Sequence, residues 1–188
     1  EKVKAKTRKS ILAMAKELLA IYATREIHEG HAFPLPDQLY QEFEASFEFE
    51  ETPDQQRAIH ETLKDMQKRK SMDRLICGDV GFGKTEVALR AAFLAVMDGK
   101  QVAVLTPTTI LAEQHFETFR QRFSSYPVRV EILSRLLTSR DSQRVLRDLA
   151  KGLVDIVIGT HRLLQKSVQF KGLELIVIDE EHRFGVSH

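Results

Sequence analysis

The sequence predicts an α/β fold, a three-layer sandwich around a mainly parallel sheet, and three observations predict it. Short Val/Ile/Leu runs alternate with stretches of helical periodicity through the second half of the chain, the pattern of strands buried on both faces by crossover helices. A glycine-rich turn, Gly78-Asp79-Val80-Gly81-Phe82-Gly83-Lys84-Thr85, stands between one such run and one such helix. A last apolar run, Leu175-Ile176-Val177-Ile178, ends in consecutive acids. With 188 residues, 43% hydrophobic and 29% charged, the chain can bury one substantial core and still carry an appendage.

The elements follow in order. Ile11, Leu12, Ala15, Leu18, Leu19 and Tyr22 recur at helical spacing, so an amphipathic helix is expected over about 7–27. Gly30 and Pro34-Leu35-Pro36 end it. Residues 1–42 read as this helix and a connecting loop, and residues 43–188 as the core lobe. Lys2, Lys4, Lys6, Arg8 and Lys9 read as a solvated helix end. Thr52-Pro53-Asp54 is a helix start, with Thr52 as N-cap and Pro53 in the first turn, and that helix runs to about 67. Leu75-Ile76-Cys77 is expected to be a buried strand leading into the glycine-rich turn, with a helix over 86–97 after it. Strands are then expected at 102–105, 128–133, 155–158 and 175–178, with helices over 109–123 and 138–150.

Composition narrows the partners. A formal charge of +1 makes no global case for nucleic-acid binding, so any such surface must be local. No apolar run reaches membrane-spanning length, and the N-terminus lacks the apolar core of a signal peptide. The single cysteine, Cys77, allows no disulfide within the chain, which fits a reducing cytoplasm. No Cys/His spacing supports a metal cluster.

The turn at 78–85 fits G-x-x-x-x-G-K-[ST], the phosphate-binding P-loop, in its required context of strand, turn and helix. Its glycines let successive N–H groups point at a phosphate from a helix N-terminus. Lys84 would reach the β/γ-phosphates of ATP, and the Thr85 hydroxyl would ligate Mg²⁺. Asp179 follows a strand whose carboxyl end lies on the same side of a parallel sheet, so it can hold that Mg²⁺. Glu180 would orient or deprotonate the water that attacks the γ-phosphate. Paired acids favour hydrolysis, which leaves a small-molecule kinase as the weaker alternative.

With these motifs stand Thr106-Pro107-Thr108-Thr109, Ser134-Arg135, and Gly159-Thr160-His161-Arg162 at strand ends, and Gln55 beside the first core helix. Together they resemble superfamily 2 helicases and translocases, whose motor lobes are RecA-like. Phe47-Glu48-Phe49, the stretch from Thr106 to His115, and Asp179-Glu180-Glu181-His182-Arg183-Phe184-Gly185-Val186 resemble the RecG-like branch. Phe82 and Glu181 are similar to the transcription-repair coupling factors of that branch, where branched-DNA helicases usually carry Ser and Gln. The resemblance covers nearly the whole chain.

It implies the first motor lobe of an ATP-driven double-stranded DNA translocase, bacterial and cytoplasmic, that pushes on stalled RNA polymerase and recruits excision-repair proteins. Gln55 would read the adenine edge, and Phe47 or Phe49 would stack on it. Thr106, Thr108, Arg135, Gly159, Thr160, His161 and Arg162 would meet the DNA phosphate backbone, and His182 and Arg183 would couple the two surfaces. Leu136-Leu137 after Arg135 departs from the family pattern, which has an aromatic or basic residue there. The family's next motif, its second RecA-like lobe and its arginine fingers are expected outside these residues, so the isolated lobe should have little ATPase activity. A RecG-type branched-DNA helicase lobe and a nucleotide-dependent interaction module without turnover are the alternatives.

Overall fold

Four apolar runs become strands: β1 (Gln101–Leu105), β2 (Val130–Leu133), β3 (Ile156–Gly159) and β4 (Leu173–Ile178). The computed structural model describes residues 2–79 and 81–180, without the side chains of residues 2–6, 9 and 26. Within it every strand pair is parallel, in the order β2-β3-β1-β4. The central strands β1 and β3 are buried along their whole length, and β4 alternates between covered and bare positions. The parallel α/β expectation is borne out.

Among the described residues six α-helices accompany the strands: α1 (Lys2–Ile27), α2 (Gln38–Ala45), α3 (Pro53–Met66), α4 (Lys84–Met97), α5 (Thr109–Arg122) and α6 (Ser139–Ala150). Local chemistry starts them where the sequence indicates. Thr52 accepts from Gln55 N, and the Gln55 side chain accepts from Thr52 N, a reciprocal capping box that opens α3. Thr108 and Thr138 cap α5 and α6 in the same manner. The short α2 was not expected; Asp37 caps it by accepting from Tyr40 N, and it buries Tyr40 and Phe43. Phe33 joins them in the core, so the packed region takes in residues on both sides of the expected boundary at 42/43.

Period-2 alternation divides the core between the two faces of the sheet. Val102, Val104, Ile156, Ile158 and Leu175 face α2, α3, α4 and α5. There Phe43 stacks on Phe93 with centroids 4.1 Å apart, and Tyr126 meets Phe93 edge-on at 4.9 Å. Ala103, Leu105 and Val157 face α6 and the 3-10 turn His161–Leu164 on the other side. At the foot of β1 the buried Gln101 amide is bonded on both ends. Its nitrogen donates to Leu149 O and Val154 O, and its oxygen accepts from Lys171 N and Gly172 N.

A charged cluster crosses the first face. Arg90 on α4 is fully buried and pairs with Glu86, Glu44 and Glu51. Arg122 on α5 pairs with Glu86 at 3.1 Å and lies over the Phe43 ring at 4.1 Å. Burial alone would lower the Arg90 pKa, but the hydrogen bond and charge of Glu86, with Glu51, raise it further above its ordinary value. Burial pushes the Tyr40 hydroxyl up to about 12. The cluster fastens the 43–51 segment to the helix that leaves the phosphate loop.

Two expectations are corrected. Leu75-Ile76-Cys77 is no strand: residues 71–79 join no ladder, Leu75 is 71% exposed, and Cys77 is exposed rather than buried. A strand needs a neighbour to bond, and the outer edge of β4 bonds no strand among the described residues. α1 forms where expected, but its apolar stripe covers nothing among the described residues; Leu19 is 67% exposed. Arg25 near its C-terminal end pairs with Asp73.

Candidate nucleotide and nucleic-acid site

The phosphate loop is shaped by two left-handed glycines, Gly81 at φ 86° and Gly83 at φ 68°, a conformation that costs other residues free energy. Gly83 is the N-cap of α4 and offers no side chain to its first turn, whereas Asp37, Thr52, Thr108 and Thr138 do so for α2, α3, α5 and α6. The positive end of α4 is therefore left for an external anion. Lys84 folds back over the loop, donating to Gly78 O at 2.5 Å and Asp79 O at 2.9 Å. Thr85 is half-buried in the first turn of α4. Val80 lies outside the described residues.

Gln55 reaches this loop from α3. Its carboxamide donates to Phe82 O at 2.8 Å while its oxygen accepts from Thr52 N at 2.7 Å. A Cβ on Gly83 would come within 2.3 Å of Gln55 Nε2, so the amide packs directly on the loop. Phe47 is half-buried beside Arg90 and Arg122, with centroid distances of 5.9 and 5.8 Å. Phe49 meets the Phe47 edge at 5.6 Å but is itself 73% exposed. Of the two rings, Phe49 is the one open to a ligand.

β4 delivers the acids. Asp179 N donates to Leu105 O at 3.0 Å, which holds the strand end beside β1. The Asp179 carboxylate accepts from His115 Nε2 at 2.7 Å; a carboxylate donates nothing, so that ring nitrogen carries the proton. His115 was not among the expected site residues. Its sequence signal was membership of the Thr106–His115 stretch; its place in the helical repeat marks nothing. Glu180 takes φ 51°, a left-handed conformation rare outside glycine that concentrates at functional sites. Thr85 and Asp179 offer hydroxyl and carboxylate oxygens, a donor set that fits Mg²⁺.

Because the strands are parallel, their carboxyl ends form one row: the 134–138 loop, the 159–162 turn, the 106–108 turn, then Asp179 and Glu180. Hydrogen bonds stitch the row together. Arg162 donates to Ser134 O at 2.8 Å, and Thr106 N donates to Gly159 O at 2.9 Å. Arg135 and His161 are exposed, and Thr108 and Arg162 are half-buried. Thr106, Gly159 and Thr160, three of the residues expected to meet the DNA backbone, are buried. The Thr106 hydroxyl turns inward to Thr108 O at 3.1 Å, and a Cβ on Gly159 would lie 2.6 Å from Leu133 O. Glu181, His182 and Arg183 lie outside the described residues.

A family model described as DEAD/DEAH box helicase matches residues 52–188. The transcription-repair-coupling factor of Myxococcus xanthus is 57% identical over 186 residues, covering 99% of this chain and 16% of that protein. The proteins of the same description from Bacillus subtilis and Escherichia coli are 53% and 55% identical, covering 100% and 97% of this chain and 16% of each relative. The chain thus spans 16% of the length of these curated relatives. A structure of RecG bound to a three-way DNA junction superposes with a TM-score of 0.81 at 40% identity, covering 88% of this chain and 23% of that one. A hypothetical ATP-dependent RNA helicase from Sulfolobus tokodaii shares the fold at a TM-score of 0.59 and 20% identity, over 78% of this chain and 42% of its own. From the cap of α3 onward sequence and fold agree, and the chain belongs to the DEAD/DEAH box helicase family.

Proposed function

We propose that this chain is the ATP-binding first motor lobe of a double-stranded DNA translocase that displaces stalled RNA polymerase and couples transcription to excision repair, in a bacterial cytoplasm. The observation that carries it is the uncapped, left-handed start of α4 on the same lobe as the acids of β4, with the strand-end row running away from them. Relatives described as transcription-repair-coupling factors support the repair context.

Lys84 exchanges the Gly78 and Asp79 carbonyls for the β/γ-phosphates, bringing charge to a loop already shaped to receive them. Thr85 and Asp179 hold Mg²⁺, which when bound neutralises phosphate oxygens. Glu180 orients the attacking water. Gln55 joins the α3 start to the loop and faces the base, and Phe49 stacks on it. The exposed Arg135 and His161 and the half-buried Arg162, with the Thr108 turn, meet backbone phosphates without reading sequence. Few contacts of this kind make DNA binding weak and salt-sensitive. His182 and Arg183 couple the two surfaces. A second RecA-like lobe supplies the arginine finger, an effect on the order of 10³–10⁵ in rate.

The test is ATPase rate with and without duplex DNA, for this chain and for a form extended through the second lobe. We expect background turnover from the chain alone and DNA-stimulated turnover from the extended form, abolished by Lys84→Ala. Glu180→Gln in the extended form should keep nucleotide affinity and lose about 10²–10⁴ in rate. Unchanged turnover in that variant removes Glu180 from the chemistry, and no DNA response in the extended form removes the translocase reading.

A further inference from the structure

We propose that His115 is a positioning residue for the Asp179 carboxylate, fixing the acid from the neighbouring helix so that it meets a nucleotide-bound metal in one orientation. The inference rests on the reading of Asp179 as the metal-facing acid. Asp179 is the first residue past β4, and its backbone is already held by Leu105 O of β1 at 3.0 Å. The backbone bond leaves the side-chain torsions of Asp179 undecided. His115 decides them, approaching from α5, the helix that follows β1, with Nε2 at 2.7 Å from Oδ2. Backbone and side chain of the acid are therefore both tied to one β–α unit.

The geometry is that of an outer partner which orients a ligand without binding the metal. The His115 side chain is 14% exposed against 31% for Asp179, so the donor is the better buried of the two. A half-buried ring held by its surroundings keeps its N–H in place; Phe119, one turn on, lies edge-on to it with centroids 6.4 Å apart. The hydrogen bond engages one oxygen of the carboxylate. α5 is itself set by the Thr108 cap, through the bond from Leu111 N at 3.2 Å. The acid's orientation thus depends on the seating of the helix whose first turn belongs to the strand-end row.

The probe is a fluorescent ADP analogue, titrated into the 188-residue chain in Mg²⁺ and in EDTA. In the wild type Mg²⁺ should tighten binding. His115→Ala should cut that tightening about tenfold, the usual scale for losing an orienting partner of a metal ligand, with EDTA affinity unchanged. His115→Gln, which keeps an N–H donor at similar reach, should restore most of it. In the ¹⁵N spectrum the His115 Nε2–H should shift when Mg²⁺ joins the nucleotide and stay put when nucleotide is added in EDTA. Full Mg²⁺ tightening in His115→Ala, or equal losses in Mg²⁺ and EDTA, overturns the positioning role and leaves the site reading intact. A wild-type chain indifferent to Mg²⁺, or one that binds as well with Lys84→Ala, overturns the site reading and this inference with it.

Discussion

Gly83 sets the shape of the phosphate loop more than any charged residue in it. It is left-handed at φ 68° and has Gln55 Nε2 where a Cβ would go, 2.3 Å away. Gly83→Ala therefore meets both backbone strain of roughly 1–2 kcal/mol and a collision with the residue that braces the loop. We expect nucleotide affinity to fall at least tenfold while the circular dichroism of the helices is retained, since Gly83 lies outside the helical core. Lys84, Thr85 and Gly83 were legible in the sequence because the motif states its own geometry. His115 was not, because nothing in a helical repeat tells which turn will stand beside the end of a strand 64 residues later. The threonines divide for a related reason. A sequence marks Thr106, Thr108 and Thr160 alike as polar residues at strand ends, and only the register decides that Thr106 and Thr160 are buried.

At the scale of elements, caps and periodicity were enough. α3, α5 and α6 begin at Thr52, Thr108 and Thr138 because each offers an oxygen to the first turn. α2 escaped notice because eight residues give too short a repeat to read. The Arg90 cluster was equally hidden: its acids come from α2, from α4 and from the loop at Glu51, and charged residues in sequence ordinarily read as surface. Arg90→Ala removes one of the two arginines that pair with the buried Glu86 and leaves Arg122 as the other, costing up to about 3–5 kcal/mol, which a urea midpoint would report. Nearby, Tyr40 titrates at about 12 when folded, against an ordinary value of 10.0. Between those values the folded chain holds a proton that the unfolded chain has lost. Stability is therefore full below pH 10 and falls as pH rises through 12. Tyr40→Phe should flatten that slope in melts at alkaline pH.

Across the whole molecule the cover is uneven. The face packed by α6 and the 3-10 turn continues onto β4, where Ile176 and Ile178 stand in register with Ala103 and Leu105. Those partners are buried, yet Ile176 is 56% and Ile178 52% exposed. Leu75 at 71% and the stripe of α1 add further bare apolar surface. Exposed apolar area of this kind marks a surface for interaction. The missing ladder at Leu75-Ile76-Cys77 has the same origin: the sequence carries the pattern of a strand, and the outer edge of β4 has no partner among the described residues.

Among the described residues β4, like β2, is bonded on one side only, and it is the strand that leads into Asp179 and Glu180. Amide hydrogens pointing outward along Leu173–Ile178 should exchange with deuterium well ahead of those of β3, which lies between β1 and β2. The acids thus follow a strand at an edge of the sheet rather than one at its centre. Sealing that edge would quiet their fluctuations from behind, with no new contact made at the phosphate loop.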